Sequence, residues 1–287
     1  MISFSDLEFY LKIIEYFFRN NFNKLYIIFS TFLFSPKLFF LEVRRRLFGR
    51  NYKFIFNIDS NAAFTSLYFF VIKNKRYELR KYKSGYILIE KKLNLKIFSN
   101  SFFDFIPIVF ESSLDLYEYK LNKKEIKNKR ILDIGGYIDT PIAFSKMGAK
   151  KVVTYEPIYY KLLLKNLRLN KIKNVVVKPY YIYSSECEQL KEWLKDKKLK
   201  EVKKKIVSWK KVLKEKFDIG KVDCEGCEEG LLYVDNSLLR RIPIWIIEIH
   251  GNILRKKIIE KFKNAGFKEK LIHVHNQEAF IYRFIKI

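Results

Sequence analysis

The second half of the chain alternates short apolar runs with segments of helical spacing, and this alternation constrains the fold more than any other feature. The runs are RILDIG (130–135), KVVTYE (151–156), NVVVKPY (174–180), IGKVDC (219–224) and IWIIEIH (244–250). Strands separated by helices are typical of a parallel sheet covered on both faces. Two adjacent strand-like runs end the chain (270–287), and they predict a hairpin that leaves one strand antiparallel to the rest. We therefore expect an α/β, Rossmann-like fold in this half.

The residues before this half follow different patterns. Ser5 and Glu8 form a capping-box pattern, and residues 1–50 are predicted to be helical. Residues 51–127 contain short runs rich in Tyr, Phe and Ile, which predict a small antiparallel sheet. We expect three parts: N-terminal helices (1–50), a β-rich cap or substrate region (51–127), and the α/β domain (128–287).

Acidic residues, glycines and one histidine follow the predicted strands at their carboxyl ends. In open parallel sheets, ligands bind beyond these ends, near the point where the strand order reverses. The first strand ends in Asp133, Gly135 and Gly136, and the second ends in Glu156. The fourth strand is followed by Asp223, Glu225 and Glu228, and the fifth ends in Glu248 and His250. The sequence therefore predicts one carboxylate-rich site at this edge of the sheet.

The turn after the first strand has the chemistry of a cofactor loop. Gly135 and Gly136 let a ligand approach the backbone, and Thr140 starts a helix whose N-terminus faces the site. Glu156 lies about twenty residues further on, where a carboxylate accepts the hydroxyls of a ribose. The loop lacks the G-x-G-x-x-G of dinucleotide folds, and its acidic neighbours suit a neutral or cationic cofactor. S-adenosylmethionine carries a sulfonium, an ammonium and no phosphate, and we predict it as the cofactor.

Five segments together resemble a known family. ILDIGGYIDT, VVTYEP, VSWKKVL, KVDCEGCEEGLL and IWIIEIH stand in the order and spacing of FkbM-type S-adenosylmethionine-dependent methyltransferases. The most diagnostic piece, Lys221 to Glu228, resembles that family's K-I-D-x-E-G-x-E signature, and the resemblance runs from about Asn128 to the C-terminus. It implies a class I methyltransferase fold, with a seven-strand, mostly parallel sheet and an antiparallel terminal strand. It also implies O-methylation of a sugar, glycan or other small-molecule hydroxyl.

The resemblance also implies roles for individual residues. The residues implied to contact the cofactor are Asp133, Gly135, Gly136, Tyr137, Glu156 and Pro157. Asp223 and Glu225 are implied at the catalytic edge, with Glu228 and Glu248 on the substrate side. The family's loop usually reads D-x-G-x-x-x-G, and Asp139 stands where its last glycine falls. Either the loop is one residue short, or Asp139 caps the following helix.

The candidate base lies among the residues that end the fourth and fifth strands. Asp223 follows apolar residues, where a carboxylate is costly to bury unless it is paired or functional. Asp223, alone or with His250, is predicted to orient or deprotonate the acceptor hydroxyl, since imidazole titrates near neutral pH. The alternative for His250 is a structural, hydrogen-bonded histidine.

Cysteine is scarce, with three residues in the chain. An odd, small number indicates a reducing compartment, so we expect a cytoplasmic protein without disulfides. Cys224 and Cys227 form a C-x-x-C, which in isolation suggests zinc or redox chemistry. No second pair exists to complete a zinc site, and we predict that the two side chains pack around Gly226 and bind no metal.

The net charge of +26 leaves other partners open. The densest basic block, Lys191 to Lys216, is either a solvated helical face or an anion-binding surface, and the second reading favours an RNA methyltransferase. The apolar run from Leu25 to Pro36 is either a buried helix or an interfacial helix in contact with a membrane surface. A non-catalytic protein that kept the fold is a third reading, motivated by Asp139.

Overall fold

The computed structural model describes residues 76–82, 84–101, 104–110, 113–183, 206–224, 226–276 and 278–287. The helices predicted for residues 1–50 and the first strands predicted after residue 51 lie outside these ranges. The chain divides into two compact units: Met1–Lys92 with Asn100–Ile106, and Leu93–Ser99 with Pro107–Ile287. The domain boundaries expected at residues 50 and 127 stay predictions. Among the described helices, none is long and apolar enough to cross a membrane.

The described part of the first unit is built around a hairpin of strands β1 (Tyr77–Tyr82) and β2 (Gly85–Glu90). The two strands pair antiparallel, as the sequence predicts. The Arg76 side chain donates to the Glu90 carboxylate, which is fully buried. This ion pair compensates the buried charge at the end of β2.

The elements after β2 follow the predicted alternation. In chain order they are strand β3 (Leu95–Ser99), helix α1 (Phe105–Phe110), helix α2 (Lys123–Ile126), strand β4 (Arg130–Ile134), helix α3 (Thr140–Lys146), strand β5 (Lys151–Tyr155), helix α4 (Tyr160–Leu169), strand β6 (Val175–Lys178), strand β7 (Tyr181–Tyr183), strand β8 (Ile206–Ser208), helix α5 (Trp209–Val212), strand β9 (Ile219–Val222), helix α6 (Asn236–Leu239), strand β10 (Ile244–His250), helix α7 (Asn252–Asn264), strand β11 (Phe267–Asn276) and strand β12 (Ala279–Lys286). Short 3-10 turns lie at Ser113–Asp115 and Cys227–Tyr233.

Seven strands of the second unit form one sheet in the order β6-β5-β4-β9-β10-β12-β11. The strands β6, β5, β4, β9 and β10 are mutually parallel. Strand β12 runs antiparallel to both of its neighbours, β10 and β11. The predicted architecture is therefore confirmed: an α/β fold with a seven-strand, mostly parallel sheet and one reversed strand in the terminal hairpin. The strand order reverses between β4 and β9, so the predicted ligand edge lies at their carboxyl ends.

Three local features differ from what the sequence pattern indicates. The apolar pattern of residues 104–121 predicts a helix, but helix α1 ends at Phe110, and left-handed residues follow it at Leu116 (φ 52°) and Lys120 (φ 46°). The segment EEGLLYV also reads as an α-helix, but it forms a 3-10 helix. Strands β7 and β8 form a small parallel pair that the sequence does not predict, and most of the Lys191–Lys216 block lies outside the described residues.

An aromatic core lies on one face of the seven-strand sheet. The ring of Trp245 lies 6.4 Å from that of Trp209 and 5.9 Å from that of Phe262, measured between centroids. Gly220 makes room for this packing, because a Cβ there would come within 2.7 Å of the Trp245 ring. Side chains alternate between the two faces of a strand, so Lys221, the next residue, points to the opposite face. The candidate site lies on that face.

Candidate active site

A row of buried polar side chains crosses three neighbouring strands. Thr154 on β5, Asp133 on β4 and Lys221 on β9 stand opposite one another in the strand register. The Thr154 hydroxyl donates to Asp133 Oδ2 at 3.2 Å, and Lys221 Nζ lies 3.4 Å from Asp133 Oδ1. All three residues have no exposed surface. A buried charge needs a partner, and here the carboxylate and the ammonium compensate each other.

Asp133 also holds the start of helix α3. The Thr140 hydroxyl lies 3.1 Å from Asp133 Oδ2 and 3.0 Å from the Gly136 carbonyl oxygen. Burial raises the pKa of the Asp133 carboxyl, while Lys221 and the hydroxyl donors oppose that rise. Asp133 is predicted to contact a cofactor. In the structure its carboxylate is instead occupied by Thr140, Thr154 and Lys221, and through Thr140 it fixes the end of the glycine loop.

The two glycines of the loop are required by contacts within the protein. Gly135 has φ +72°, and a Cβ there would fall 1.7 Å from the Asp223 carbonyl oxygen. A Cβ on Gly136 would fall 2.2 Å from the Thr154 hydroxyl and 2.6 Å from Asp133 Oδ2. Lys221 Nζ donates to the Gly135 carbonyl oxygen at 2.8 Å. The loop is therefore packed directly on the residues that end β9.

Asp139 caps helix α3. Its Oδ1 accepts the Thr140 N–H at 2.7 Å, and Pro141 occupies the first helical turn. A side-chain acceptor at this position satisfies an N–H that has no partner within the helix. Of the two explanations for the missing glycine, helix capping is the one that the structure confirms.

Glu156 ends β5 and binds the glycine loop. Its Oε2 accepts the Tyr137 N–H at 3.0 Å, and its Oε1 accepts the N–H groups of Ile158 and Tyr159, each at 2.8 Å. The rings of Tyr137 and Tyr159 meet edge to face, with centroids 4.7 Å apart. Helix α4 begins at Tyr160, three residues after Pro157, and Glu156 caps the turn that precedes the helix.

Asp223 follows β9 and faces a tyrosine from a distant segment. The Tyr119 hydroxyl donates to Asp223 Oδ2 at 2.7 Å, and Lys221 Nζ lies 3.5 Å from the same oxygen. Burial alone would raise the pKa of Asp223, but the Lys221 charge and the Tyr119 hydrogen bond hold it below its ordinary value. Burial raises the pKa of the Tyr119 hydroxyl well above its ordinary value, so Tyr119 remains a donor.

Glu248 on β10 is hydrogen-bonded to Asp223. Burial first, and then the Asp223 charge, raise the pKa of Glu248 to about 7, while His250 opposes the rise. The side-chain hydrogen bond between the two acids lowers the pKa of Asp223 and raises that of Glu248. Below neutral pH, Glu248 therefore holds a proton that it shares with the ionised Asp223, as is typical of paired carboxyls.

His250 ends β10 and lies against a second acid. Its Nδ1 lies 2.8 Å from Glu228 Oε1, and its Nε2 lies 3.5 Å from Glu248 Oε1. Glu228 is fully buried, and its Oε2 accepts the Gly226 N–H at 2.8 Å. Asp223, Glu248, His250 and Glu228 thus form one connected group. Glu225, the remaining catalytic candidate, lies outside the described residues.

A disulfide joins Cys224 to Cys227, so the prediction of a chain without disulfides is wrong. Gly226, with φ 126°, turns the backbone so that the two Cα atoms lie 5.6 Å apart, within the range that a disulfide spans. Among the residues that the structure describes, no group of His, Cys, Asp and Glu is arranged to hold a metal ion.

The site contains residues that sequence reasoning missed. Lys221 carried a signal, because a lysine inside the apolar run IGKVDC needs a buried partner. No sequence pattern indicates a role for Tyr119, because 104 positions separate it from Asp223. Thr140 and Thr154 lie within the sequence motifs, and the side chains of both contact Asp133, a role that the motifs do not indicate.

Comparisons with known proteins add little to this geometry. No protein-family model matches the chain, and no curated protein sequence matches it. Solved structures with a similar arrangement include a ribosomal protein L11 methylase from Lactobacillus delbrueckii subsp. bulgaricus, at 17% identity and TM-score 0.40 over 61% of this chain and 78% of that one. A magnesium protoporphyrin IX methyltransferase from Synechocystis, with bound SAH, matches at 10% identity and TM-score 0.40, over 62% and 83%. A precorrin-6y C5,15-methyltransferase from Geobacter metallireducens GS-15 matches at 14% identity and TM-score 0.39, over 62% and 88%.

Proposed function

We propose that this chain transfers a methyl group from S-adenosylmethionine to a hydroxyl of a sugar, a glycan or another small-molecule acceptor. The observation that carries the proposal is the hydrogen-bonded acid pair of Asp223 and Glu248. It stands where the strand order reverses, next to the Gly135 loop, and it can exchange a proton near neutral pH. Ligands of open parallel sheets bind at this edge.

The residues at the end of β5 fit the ribose of such a cofactor. An ionised carboxylate offers about four acceptor positions, and three N–H groups occupy three of those on Glu156. Glu156 Oε2 can therefore accept one ribose hydroxyl as it stands. A second hydroxyl would take the place of the Tyr137 N–H, so cofactor binding is expected to shift the loop at Tyr137.

The acid pair fits proton removal from a hydroxyl. S-adenosylmethionine supplies a methyl group on a positively charged sulfur. Asp223, whose pKa is held low, stays ionised and orients the acceptor hydroxyl by accepting its hydrogen bond. Glu248, with its pKa at about 7, takes up the proton, and its pKa matches a general base working at neutral pH. His250 contacts Glu248 through Nε2, and Glu228 orients His250 through Nδ1.

Calorimetry with S-adenosylhomocysteine tests the cofactor part of the proposal. The unmodified chain is expected to bind, and Glu156→Ala to bind about ten- to a hundredfold more weakly, since a hydrogen bond to a charged group is lost. Glu260→Gln, which removes an exposed carboxylate on α7, is the matched control and should bind like the unmodified chain. No binding by the unmodified chain, or equal binding by Glu156→Ala, would contradict the proposal.

A transfer assay tests the chemical part. Cell extract is incubated with cofactor carrying an isotopically labelled methyl group, and mass spectrometry identifies the labelled product. Asp223→Asn is expected to lower the transfer rate by about 10²–10⁴-fold while S-adenosylhomocysteine still binds. Cofactor binding by the unmodified chain without any labelled product would favour the non-catalytic alternative.

The net charge of +26 favours a second candidate acceptor, RNA. If RNA is the acceptor, its binding should weaken steeply as salt is raised, because Lys and Arg displace counterions from the phosphates. A filter-binding series over increasing salt distinguishes the two acceptor classes. Binding that is absent, or insensitive to salt, leaves the small-molecule or glycan hydroxyl as the acceptor.

A further inference from the structure

The disulfide between Cys224 and Cys227 has no part in the proposed reaction, yet it closes the turn that follows Asp223. Both cysteines are half-buried, so each keeps some contact with solvent. We propose that this pair is a reversible thiol–disulfide exchange site for a small thiol, and that its state sets the contact between Glu228 and His250.

Both ends of the turn are held by the protein around it. At the first end, Asp223 N–H donates to the Ile134 carbonyl at 3.0 Å, and the Asp223–Cys224 backbone packs against Gly135. At the second end, the Trp209 indole N–H donates to the Cys227 carbonyl at 3.2 Å. The disulfide bridges these two anchors, so breaking it releases the turn between them rather than the whole segment.

The released turn carries two groups that contact Glu228, the acid that holds His250. Gly226, inside the turn, donates its N–H to Glu228 Oε2 at 2.8 Å, and Glu228 Oε1 contacts His250 Nδ1 at 2.8 Å. Cys224 Sγ lies 3.5 Å from the same Glu228 Oε2. Breaking the S–S bond leaves a Cys224 thiol beside this carboxylate, and the thiol is a hydrogen-bond donor that the disulfide lacks.

The exchange balances with a small thiol such as glutathione as reductant. Its thiolate attacks one sulfur, the S–S bond breaks, and a mixed disulfide forms while the other cysteine leaves as a thiolate. A second thiolate attacks the mixed disulfide, which frees the first cysteine and leaves the small thiol oxidised to its own disulfide. Two electrons pass to the pair, and its two thiolates take up two protons.

Thiol counting tests the exchange. The full chain is equilibrated, while folded, in mixtures of reduced and oxidised glutathione, quenched in acid, and alkylated after denaturation. Because Cys187 could form its own mixed disulfide with glutathione, the count is made on Cys187→Ser. We expect no labelled cysteine in the oxidised limit and two in the reduced limit, with the same midpoint from either direction. A pair that stays closed, or stays open, across all mixtures overturns the proposal.

Histidine NMR tests the link to the site, since the chain contains three histidines. The His250 ring signals, assigned by their loss in His250→Asn, are expected to move between the oxidised and reduced limits. In the double variant Cys224→Ser, Cys227→Ser they should be identical in both buffers. Thiol exchange with unmoved His250 signals overturns the link. Neither measurement uses a cofactor, and only an effect of the pair on methyl transfer rests on the proposed function.

Discussion

Lys221 Nζ lies 3.4 Å from Asp133 Oδ1 on the neighbouring strand, and both side chains are fully buried. The same ammonium lies 3.5 Å from Asp223 Oδ2 and donates to the Gly135 carbonyl. The Lys221 ammonium thus contacts the glycine loop, the buried Asp133 and Asp223, the acid proposed to orient the acceptor. The Asp133 and Asp223 charges outweigh the effect of burial and raise the pKa of Lys221, so it stays charged.

Lys221→Met is expected to lower the free energy of unfolding by about 3–5 kcal/mol, since it leaves the Asp133 carboxylate buried without its cation. Urea denaturation followed by tryptophan fluorescence measures the change. Lys173→Met removes an exposed lysine and should change stability by less than about 0.5 kcal/mol. Equal effects of the two substitutions would show that the buried ion pair contributes nothing.

Tyr119→Phe is expected to raise the pKa of Asp223, because the phenol hydroxyl donates to the ionised carboxylate at 2.7 Å. The lost hydrogen bond to a charged group should also cost about 1.5–3 kcal/mol of stability. Carbon-13 titration of the aspartate carboxyls measures the pKa. Tyr117→Phe, at an exposed tyrosine two positions earlier, is the control and should leave that titration unchanged. An unchanged Asp223 titration in Tyr119→Phe refutes the prediction.

Glu248 makes stability depend on pH. Its pKa rises from 4.5 to about 7 on folding, so the folded chain binds the proton more tightly than the unfolded chain does. The resulting stability is complete below about pH 4.5 and is lost as the pH rises through 7. The total loss is about 3 kcal/mol. Glu248→Gln mimics the protonated acid and should lack this loss.

The measurement for Glu248 compares unfolding free energies of the two chains at pH 5 and pH 8. The unmodified chain should lose stability relative to Glu248→Gln between these values. Asp223, whose pKa is lowered from 3.8, contributes a stability that is lost only as the pH falls below that value, so its contribution does not vary between pH 5 and pH 8. A difference that does not vary with pH would contradict the raised pKa.

Gly135→Ala is expected to destabilise the glycine loop more than backbone conformation alone explains. The new Cβ would fall 1.7 Å from the Asp223 carbonyl oxygen, which belongs to the backbone and cannot swing away. Gly251 has a similarly positive φ of +92°, but a Cβ there meets nothing within 4 Å. Gly251→Ala should therefore cost only the left-handed strain of about 1–2 kcal/mol.

Thermal unfolding compares the two glycine variants. We expect a clearly larger drop in melting temperature for Gly135→Ala than for Gly251→Ala, together with loss of S-adenosylhomocysteine binding in the first. Similar drops in both would mean that φ, rather than the contact with Asp223, explains the glycine at position 135.

Local sequence pattern was enough to locate most of the second unit. The five predicted strands correspond to β4, β5, β6, β9 and β10, and the terminal hairpin to β11 and β12. These strands are short runs bounded by turn residues, so nearby positions alone specify them. The carboxylates at the strand ends could likewise be identified, because parallel strands bring their carboxyl ends to one edge.

The sequence by itself determined which segments become strands and which edge of the sheet carries the acids. Only the tertiary structure decided that Tyr119 reaches Asp223, that Glu248 shares its proton with Asp223, and that the cysteines close a disulfide. The spacing of apolar residues that specifies a strand or a helix involves only neighbouring positions of the chain. The partner and the pKa of a buried polar group depend on which distant atoms enclose it, and only the folded packing brings those atoms together.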